Sequence, residues 1–184
     1  MTARTKPPFR ADHVGSLLRP AKLKEAREKF EKNALSRADL DRVEEEAVRE
    51  VVKLQEDVGL KLVTDGEYRR KEWHMDFLMQ FSNVKRVASQ IKVQFHTHEG
   101  DIEVKPPGLN ITGKLSRPKP IFVDHFKFLK TVTKVTAKQT IPSPTILHFR
   151  GGRAAVDKTA YPEMDGFFAN SNNAAADSID FSAK

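Results

Sequence analysis

Two carboxylates flank a glycine in Asp65-Gly66-Glu67, directly after the apolar run at 60–64. That run predicts a buried strand, so the loop is expected over the carboxyl edge of a sheet, where α/β enzymes place their sites. A carboxylate there can bind an ammonium group, accept a proton or help to hold a metal ion. Acids favoured by a helix N-terminus explain the same pair, and the spacing leaves these alternatives open.

A second polar loop, His13-Val14-Gly15-Ser16, follows a short run that we expect to be the first strand. Gly15 lets the backbone approach a ligand, and the Ser16 hydroxyl with nearby N–H groups can hold a carboxylate. A tight turn accounts for Gly15 and Ser16 equally well. His13 is a weak metal candidate, because the six histidines show no close pair at helical ligand spacing.

A third polar loop, at 142–145, contains Ser143 and Thr145 and ends a strand predicted at 135–141, since proline has no N–H for the ladder. Arg150 and Arg153 follow, around a glycine pair. These cations could bind an anion or belong to a lid, or the stretch is an ordinary surface loop. It is not a P-loop, because the Gly-Lys-Ser/Thr ending is absent.

Helices with a regular apolar face precede the acidic loop. Apolar residues spaced by three or four predict a helix over 36–58, with Ser36 as N-cap and Gly59 as the stop. A shorter helix before it directs Leu23, Ala26 and Phe30 inward. The order helix, glycine, strand, acidic loop is the half-unit of a βα fold.

The middle of the chain has a different period. Alternation at 91–96, and less cleanly at 109–115, predicts an antiparallel insertion between βα units. A helix at 121–131 would lead into the third strand. The stretch 170–184 is rich in Asn, Ala, Ser and Asp without a strong apolar stripe, and we expect it to be a frayed or divergent tail.

Composition bounds the class of protein. The chain has 184 residues, 39% hydrophobic and 31% charged, which suits one globular domain of residues 1–184 in the cytoplasm. No run approaches the ~18 apolar residues of a membrane helix. The start of the chain is basic and Pro-rich and has no signal-peptide pattern. Cys is absent, which excludes disulfides and a zinc site built on thiolates from this chain.

The positive charge is local. Residues 105–140 contain eight Lys or Arg and one acid, Asp124, so that 8 − 1 = +7 equals the formal net charge of the chain. Such a stretch attracts phosphates or carboxylates, or is simply a solvated face. Nucleic acid is disfavoured as a partner, because no recognition-helix, zinc-finger or aromatic RNA-binding signature accompanies it.

Four motifs, taken in their order along the chain, resemble the cobalamin-independent methionine synthase family. They lie at 10–20 (RADHVGSLLRP), at 63–67 with Trp73, at 141–145 (IPSPT) and at 160–165 (AYPEMD). The similarity covers about residues 8–168 and is greatest to single-domain paralogues of its catalytic C-terminal domain. The resemblance implies an α/β fold of the (β/α)8 barrel type. It also implies a zinc ion that binds the homocysteine thiolate, and a methyltetrahydrofolate polyglutamate as methyl donor.

The resemblance also assigns a substrate site. Gly15 and Ser16 would hold the amino-acid end of homocysteine, and Glu67 would bind its ammonium group, with Asp65 beside it. The positive stretch would meet the glutamate tail of the folate, which is an inference from charge. The full set of expected substrate-binding residues is His13, Gly15, Ser16, Asp65, Glu67, Trp73, Ser143 and Thr145, with Arg150 and Arg153 as anion-binding residues.

The zinc ligands of the family, a His and Cys pair, an acid and a further Cys, belong to the second half of the barrel. This chain has no Cys and its motifs stop before that half. We therefore expect an incomplete, roughly half barrel, with no catalytic or metal-binding residue of its own. A half barrel exposes unpaired strand edges, so poor stability, self-association or pairing with a C-terminal half is expected.

Two hypotheses follow. The first is a homocysteine S-methyltransferase of methionine biosynthesis that uses 5-methyltetrahydropteroyltriglutamate, or a related thiol alkyl transferase, truncated before the zinc site. The alternative is a non-catalytic binding or interaction module that retains a substrate-like pocket for a small thiol such as homocysteine. Fold alone does not fix the thiol.

Overall fold

The computed structural model describes residues 13–88 and 91–176. Within them the chain forms two compact units, one of residues 13–73 and 122–140 and one of 74–88, 91–121 and 141–176. The elements are α1 (Ala21–Glu31), α2 (Arg37–Asp57), β1 (Leu62–Val63), α3 (Met75–Leu78), β2 (Val84–Val87), β3 (Val93–Thr97), β4 (Gly100–Val104), β5 (Gly108–Ile111), α4 (Val123–Val132), β6 (Thr136–Ala137) and α5 (Met164–Ala176), with 3-10 turns at Pro144–Leu147 and Gly152–Ala155.

Helix α2 is the main element of the first unit, and its sequence prediction is confirmed. The Ser36 side chain accepts a hydrogen bond from the Asp39 N–H and caps the helix. Gly59 has a φ of +86° just after the helix ends. The apolar face of α2 packs with α1, β1 and α4 in one core, whose buried members are Leu23, Ala47, Val48, Val51, Val52, Val63, Tyr68 and Leu129.

The sheet of the first unit is the parallel pair β1–β6, in which Leu62 lies opposite Thr136 and Val63 opposite Ala137. Both strands are shorter than the predicted runs at 60–64 and 135–141. The pairing stops because the Gln55 side chain binds both backbone groups of Thr64, at 2.8 and 3.0 Å. Residues 13–16 form no strand, and the remainder of the predicted first strand lies outside the described residues.

The second unit contains the antiparallel pairing expected for the middle of the chain. Strand β2 pairs with β5, and β3 pairs with β4 in a hairpin. Ile111 also makes a parallel bridge to Val156. Phe77, Leu109 and Phe167 are among the buried side chains of this unit.

The expectation of a frayed tail is not met over 170–176, because these residues are helical as part of α5. Phe167, Ser171 and Ala174 recur at helical spacing and are buried. The small side chains of Ser171 and Ala174 therefore form the buried face of this part of the helix, and a search for large apolar residues does not detect it. Residues 177–184 lie outside the described residues.

The fold is α/β, and each sheet in the described part of the chain has two strands. No helix found there is both long and apolar enough to cross a bilayer. Helix α4 confirms the prediction at 121–131, shifted by one to two residues.

Candidate functional site

Two of the three predicted loops meet where β1 ends. The Thr64 hydroxyl donates to the Gly15 carbonyl at 2.7 Å, and the Leu17 N–H donates to the Gly66 carbonyl at 3.1 Å. Ser16 stands between these two contacts and is exposed. The predicted substrate residue Ser16 therefore lies beside the acidic loop.

The end of β6 joins the same place. The Lys138 Nζ donates to the His13 carbonyl at 2.6 Å. A Cβ on Gly15 would lie 2.4 Å from the Thr140 Cγ2, so only glycine allows this approach. We call residues 13–17, 64–67 and 138–140 together the strand-end cluster.

Gln55 holds the cluster to helix α2. Its amide oxygen accepts the Thr64 N–H and lies 2.8 Å from the His13 Nε2, while its amide nitrogen donates to the Thr64 carbonyl. Gln55 is 3% exposed, so these bonds fix the start of the acidic loop inside the protein. This contact gives His13 a structural role, and its substrate contact stays a prediction.

The acidic loop is a tight turn with both carboxylates buried. The Glu67 N–H donates to the Asp65 Oδ1 at 2.9 Å, which folds the Asp65 side chain over the turn. Asp65 is 2% exposed and Glu67 is 4% exposed. Glu67 has a φ of +57°, a conformation that costs a non-glycine residue about 1–3 kcal/mol. Such strain is typical of functional sites.

The Glu67 carboxylate is satisfied on one side only. Its Oε1 accepts the Thr140 hydroxyl at 2.7 Å and lies 3.5 Å from the Arg70 Nη1. Its Oε2 is buried and has no hydrogen-bond partner in the described part of the chain. One strong acceptor atom is thus left for a donor that the described residues do not supply.

Arg70 is a buried cation of the site and was not among the residues predicted from the sequence. It is 1% exposed, donates to the Thr140 carbonyl at 2.5 Å and to the Trp73 carbonyl at 3.4 Å, and lies 4.4 Å from the Phe122 ring centre. Its signal in the sequence was its position three residues after Glu67. Thr140, also missed, lies in the predicted third strand and had no distinguishing signal.

Two further arginines fix the backbone of this loop. Arg19 donates to the carbonyls of Glu67 and Arg70 at 3.1 and 3.0 Å. Arg27 donates to the Arg70 carbonyl at 2.7 Å and to the Tyr68 carbonyl. The loop is therefore preorganised by side chains from 19–27.

Burial raises the pKa of Asp65 above its usual value, and the nearby Glu67 carboxylate acts in the same direction. The Glu67 N–H and the Arg70 guanidinium oppose the shift. An acid with a raised pKa next to a second buried acid is typical of functional sites, although structural networks produce it as well.

The remaining predicted substrate residues are in different places. Trp73 is 47% exposed and belongs to the first unit. Ser143 and Thr145 belong to the second unit, are exposed, and have hydroxyl oxygens 3.0 Å apart. The structure brings the first two loops together, and the convergence of the third loop with them stays a prediction.

Arg150 and Arg153 donate to backbone carbonyls of the second unit. Arg150 contacts the Pro107 carbonyl at 2.7 Å and the His74 Nε2 at 3.2 Å. Arg153 contacts the carbonyls of Val156, Tyr161 and Pro162 at 2.9, 2.7 and 3.2 Å. These bonds give both guanidinium groups a structural role, and their anion binding stays a prediction.

The residues present do not fit the zinc site that the resemblance implies. The sequence has no Cys. Among residues 13–88 and 91–176, no group of three or more His, Asp or Glu side chains could hold a metal ion. Structural and catalytic zinc sites need three or four such ligands.

Comparison with known proteins defines the class of protein. Residues 9–163 match the family model described as "Cobalamin-independent synthase, Catalytic domain". The chain therefore belongs to the family of the cobalamin-independent synthase catalytic domain, as the motifs had indicated.

Individual relatives add detail. The "Uncharacterized protein YxjG" of Bacillus subtilis (strain 168) is 38% identical over 149 residues, 80% of this chain and 38% of that protein. The "Putative Vitamin-B12 Independent Methionine Synthase" from Listeria monocytogenes has a structure that matches with a TM-score of 0.73 and 33% identity, over 95% of this chain and 48% of that one.

A relative named for its activity is more distant. The 5-methyltetrahydropteroyltriglutamate–homocysteine methyltransferase of Thermosynechococcus vestitus is 28% identical over 143 residues, 78% of this chain and 18% of that protein. The chain thus spans less than half the length of each of these three relatives.

Proposed function

We propose that this chain provides the amino-acid-binding part of a thiol methyltransferase of the homocysteine S-methyltransferase type, or of a related thiol alkyl transferase. Its small-molecule ligand is an amino-acid thiol such as homocysteine, and the methyl donor is a methyltetrahydrofolate polyglutamate. Membership of the family and the names of its relatives support this reaction class.

The buried Glu67 Oε2 is the observation on which the proposal depends. A primary ammonium group has three N–H donors and a positive charge, which match a buried carboxylate oxygen that has no partner among the described residues. The exposed Ser16, which lies beside the acidic loop, offers a hydroxyl for the ligand carboxylate. The two polar ends of an amino acid would then both be held, which leaves its side-chain sulfur directed elsewhere.

The elements that hold this site belong, in our proposal, to a (β/α)8 barrel of which this chain supplies a part. The parallel pair β1–β6, each strand preceded by a helix, has the connectivity of such a barrel. The structural match with the Listeria monocytogenes protein covers about half of that chain and supports the same arrangement.

Zinc is part of this proposal only because the family uses it. When bound, the zinc ion of the family would bind and activate the thiol sulfur of the substrate. Since the residues of this chain do not fit the zinc site, we assign to them only the binding and orientation of the amino-acid end of the substrate. A non-catalytic binding module is the second candidate function, and the same absence of Cys favours it.

Calorimetric titration of L-homocysteine into the purified chain tests the proposal. Glu67→Gln removes the charge with little change in shape, and we expect it to weaken binding by about tenfold to a hundredfold, as for loss of a charged hydrogen bond. Glu99→Gln, at the exposed turn between β3 and β4, removes the same charge and should leave binding unchanged.

Two results would contradict the proposal: no binding of homocysteine by the wild-type chain, or equal affinity in the Glu67→Gln variant. A methyl-transfer assay of this chain combined with a C-terminal half that carries the zinc ligands of the family separates the two candidate functions. Turnover by the combined halves favours the transferase, and binding without turnover in that mixture favours the binding module.

A further inference from the structure

The β3–β4 hairpin of the second unit is exposed on both faces. Every residue of its two strands is exposed except Val93, which is half-buried. The two strands form a sheet of their own, so each keeps one edge without a partner strand in the described part of the chain. A two-stranded hairpin is only marginally stable in water unless another surface packs against it. A surface that covers this hairpin would therefore stabilise it.

One face of the hairpin is apolar over two cross-strand pairs. Val93 lies opposite Val104, and Phe95 lies opposite Ile102. Because directly opposite residues of an antiparallel pair share a face and side chains alternate along a strand, these four side chains lie on the same side. Phe95 and Ile102 are each 53% exposed, and Val104 is 41% exposed. Contiguous exposed apolar side chains of this kind mark surfaces of association.

The opposite face is polar, and its charges are paired within the hairpin. Gln94 lies opposite Glu103 on this face, and His96 lies opposite Asp101. The Lys92 Nζ lies 3.1 Å from the Glu103 Oε1. The His96 Nδ1 lies 2.6 Å from the Asp101 Oδ1. Covering this face would take charged groups out of water at a cost in free energy, so the apolar face is the one that gains from being covered.

The charge of the hairpin suits contact with a second copy of the same chain. Residues 91–105 contain two Lys and three acids, so that 2 − 3 = −1, whereas the whole chain carries +7. Two copies that approach through their Lys-rich stretches repel each other. Two copies that meet at the hairpin bring together uncharged apolar faces on segments without excess positive charge. The second copy also offers a face of the same length, width and polarity.

We propose that the chain forms a symmetric dimer in which the apolar faces of two β3–β4 hairpins pack against each other. Sheets stack at about 10 Å, so two hairpins of equal size cover each other's apolar side chains. A two-fold axis places Phe95 and Ile102 of one copy against the same pair of the other. The face is smaller than a standard interface of about 1,600 Å², so the dimer dissociates in the micromolar range.

Sedimentation velocity of the full chain, over about 1 to 200 µM, measures the dissociation constant of this dimer. The double variant Phe95→Thr with Ile102→Thr removes the apolar pair and keeps residues that favour strands. We expect it to weaken the dimer at least about tenfold. The matched control is Gln94→Thr with Glu103→Thr, which changes the adjacent cross-strand pair on the polar face and should dimerise as wild type does. Circular dichroism verifies the fold of both variants.

Because the sequence has no Cys, a single introduced thiol reports which face makes the contact. Ile102→Cys places the thiol on the apolar face, and Glu103→Cys places it on the opposite face of the same strand. A short bismaleimide reagent couples two thiols that face each other across the stacked sheets. We expect it to convert the Ile102→Cys chain to covalent dimers at least about tenfold faster than the Glu103→Cys chain.

Three results would overturn the hairpin dimer. The first is a wild-type chain of monomer mass at every concentration, which would mean that a second copy does not cover the face. The second is a dimer that Phe95→Thr with Ile102→Thr leaves as tight as in wild type. The third is equal coupling of the Ile102→Cys and Glu103→Cys chains. None of these measurements involves homocysteine, so the dimer and the proposed function fail independently.

Discussion

Thr140 shows how a residue without a distinguishing sequence signal can define a site. Its hydroxyl donates to the Glu67 Oε1 at 2.7 Å, its carbonyl accepts from Arg70, and its methyl group fills the space that Gly15 leaves open. One side chain thus joins all three segments of the strand-end cluster. Together with Arg70 it sets the position of the Glu67 carboxylate.

Two substitutions of Thr140 distinguish the effect of its hydroxyl group from the effect of its side-chain volume. Thr140→Val removes the hydrogen bond to Glu67 at almost constant volume, and we expect homocysteine affinity to fall by about tenfold, the effect of one charged hydrogen bond. Thr140→Ser keeps the hydroxyl and should retain most of the affinity. The same calorimetric titration measures both, and equal affinities in the two variants would show that the hydroxyl has no role.

His125 gives the first unit a predictable acid sensitivity. Burial, with the positive charges of Arg69, Arg70 and Arg37, lowers its pKa from 6.5 to about 4. Between these values the unfolded chain binds the proton and the folded chain does not, so stability is lost as pH falls below about 6.5. The loss between pH 7 and pH 5 is up to about 2 kcal/mol.

Urea denaturation at the two pH values measures this effect. His125→Phe keeps a ring next to Phe122, with which His125 is stacked at 5.2 Å, and should remove most of the pH-dependent loss. His98→Gln, at an exposed position in the hairpin turn, should not change it. An unchanged pH dependence in His125→Phe would exclude His125 as its source.

Among the elements, α2 determines where the acidic loop begins. Its Gln55 binds both backbone groups of Thr64, so the parallel ladder ends there and the chain turns into Asp65. Gln55→Leu leaves the Thr64 N–H and carbonyl buried without partners. We expect the free energy of unfolding to fall by about 2–6 kcal/mol, at about 1–3 kcal/mol for each of the two groups.

The matched control for Gln55 is Gln80→Leu, since Gln80 is half-buried and its side-chain amide donates to a single backbone carbonyl, that of Asp76 in the second unit. This variant should change stability by about 1 kcal/mol or less, the net effect of one hydrogen bond. Chemical denaturation followed by circular dichroism compares the two variants. A Gln55→Leu chain as stable as wild type would show that the loop is held by other contacts.

Elements with a strong local signal could be predicted from the sequence. The 3.6-residue period and the Ser36 and Gly59 signals fixed α2, and alternation indicated the antiparallel middle. The two-residue strands could not be predicted, because their ends depend on the Gln55 side chain. The helical part of 170–176 was missed, because its inward stripe contains Ser171 and Ala174 rather than large apolar residues.

The candidate site was predictable only where its residues have a local sequence signal. Gly15, Ser16, Asp65 and Glu67 stand in loops with recognisable residue types, and the structure brings these four together. Contacts between residues far apart in sequence, such as that of Glu67 with Thr140, leave no local pattern. The place of Ser143 and Thr145 relative to them stays a prediction.

For the whole molecule, the unpaired strand edges have a consequence in solution. Each sheet in the described ranges has two strands, and Phe95 and Ile102 of the β3–β4 hairpin are each 53% exposed. Unpaired edges and exposed apolar side chains favour association. Light scattering after size exclusion should give a mass above 20.8 kDa at micromolar concentration. A stable species of monomer mass at every concentration would contradict the expectation.

If the strand-end cluster binds an amino acid through the buried Glu67 carboxylate, the ammonium group of the ligand must contribute much of the affinity. Calorimetric titration of the wild-type chain with L-homocysteine and with its des-amino analogue, which keeps the thiol and the carboxylate, measures that contribution. We expect homocysteine to bind, and the analogue to bind at least about tenfold more weakly. Equal affinity for the two compounds, or no affinity for either, would contradict this expectation.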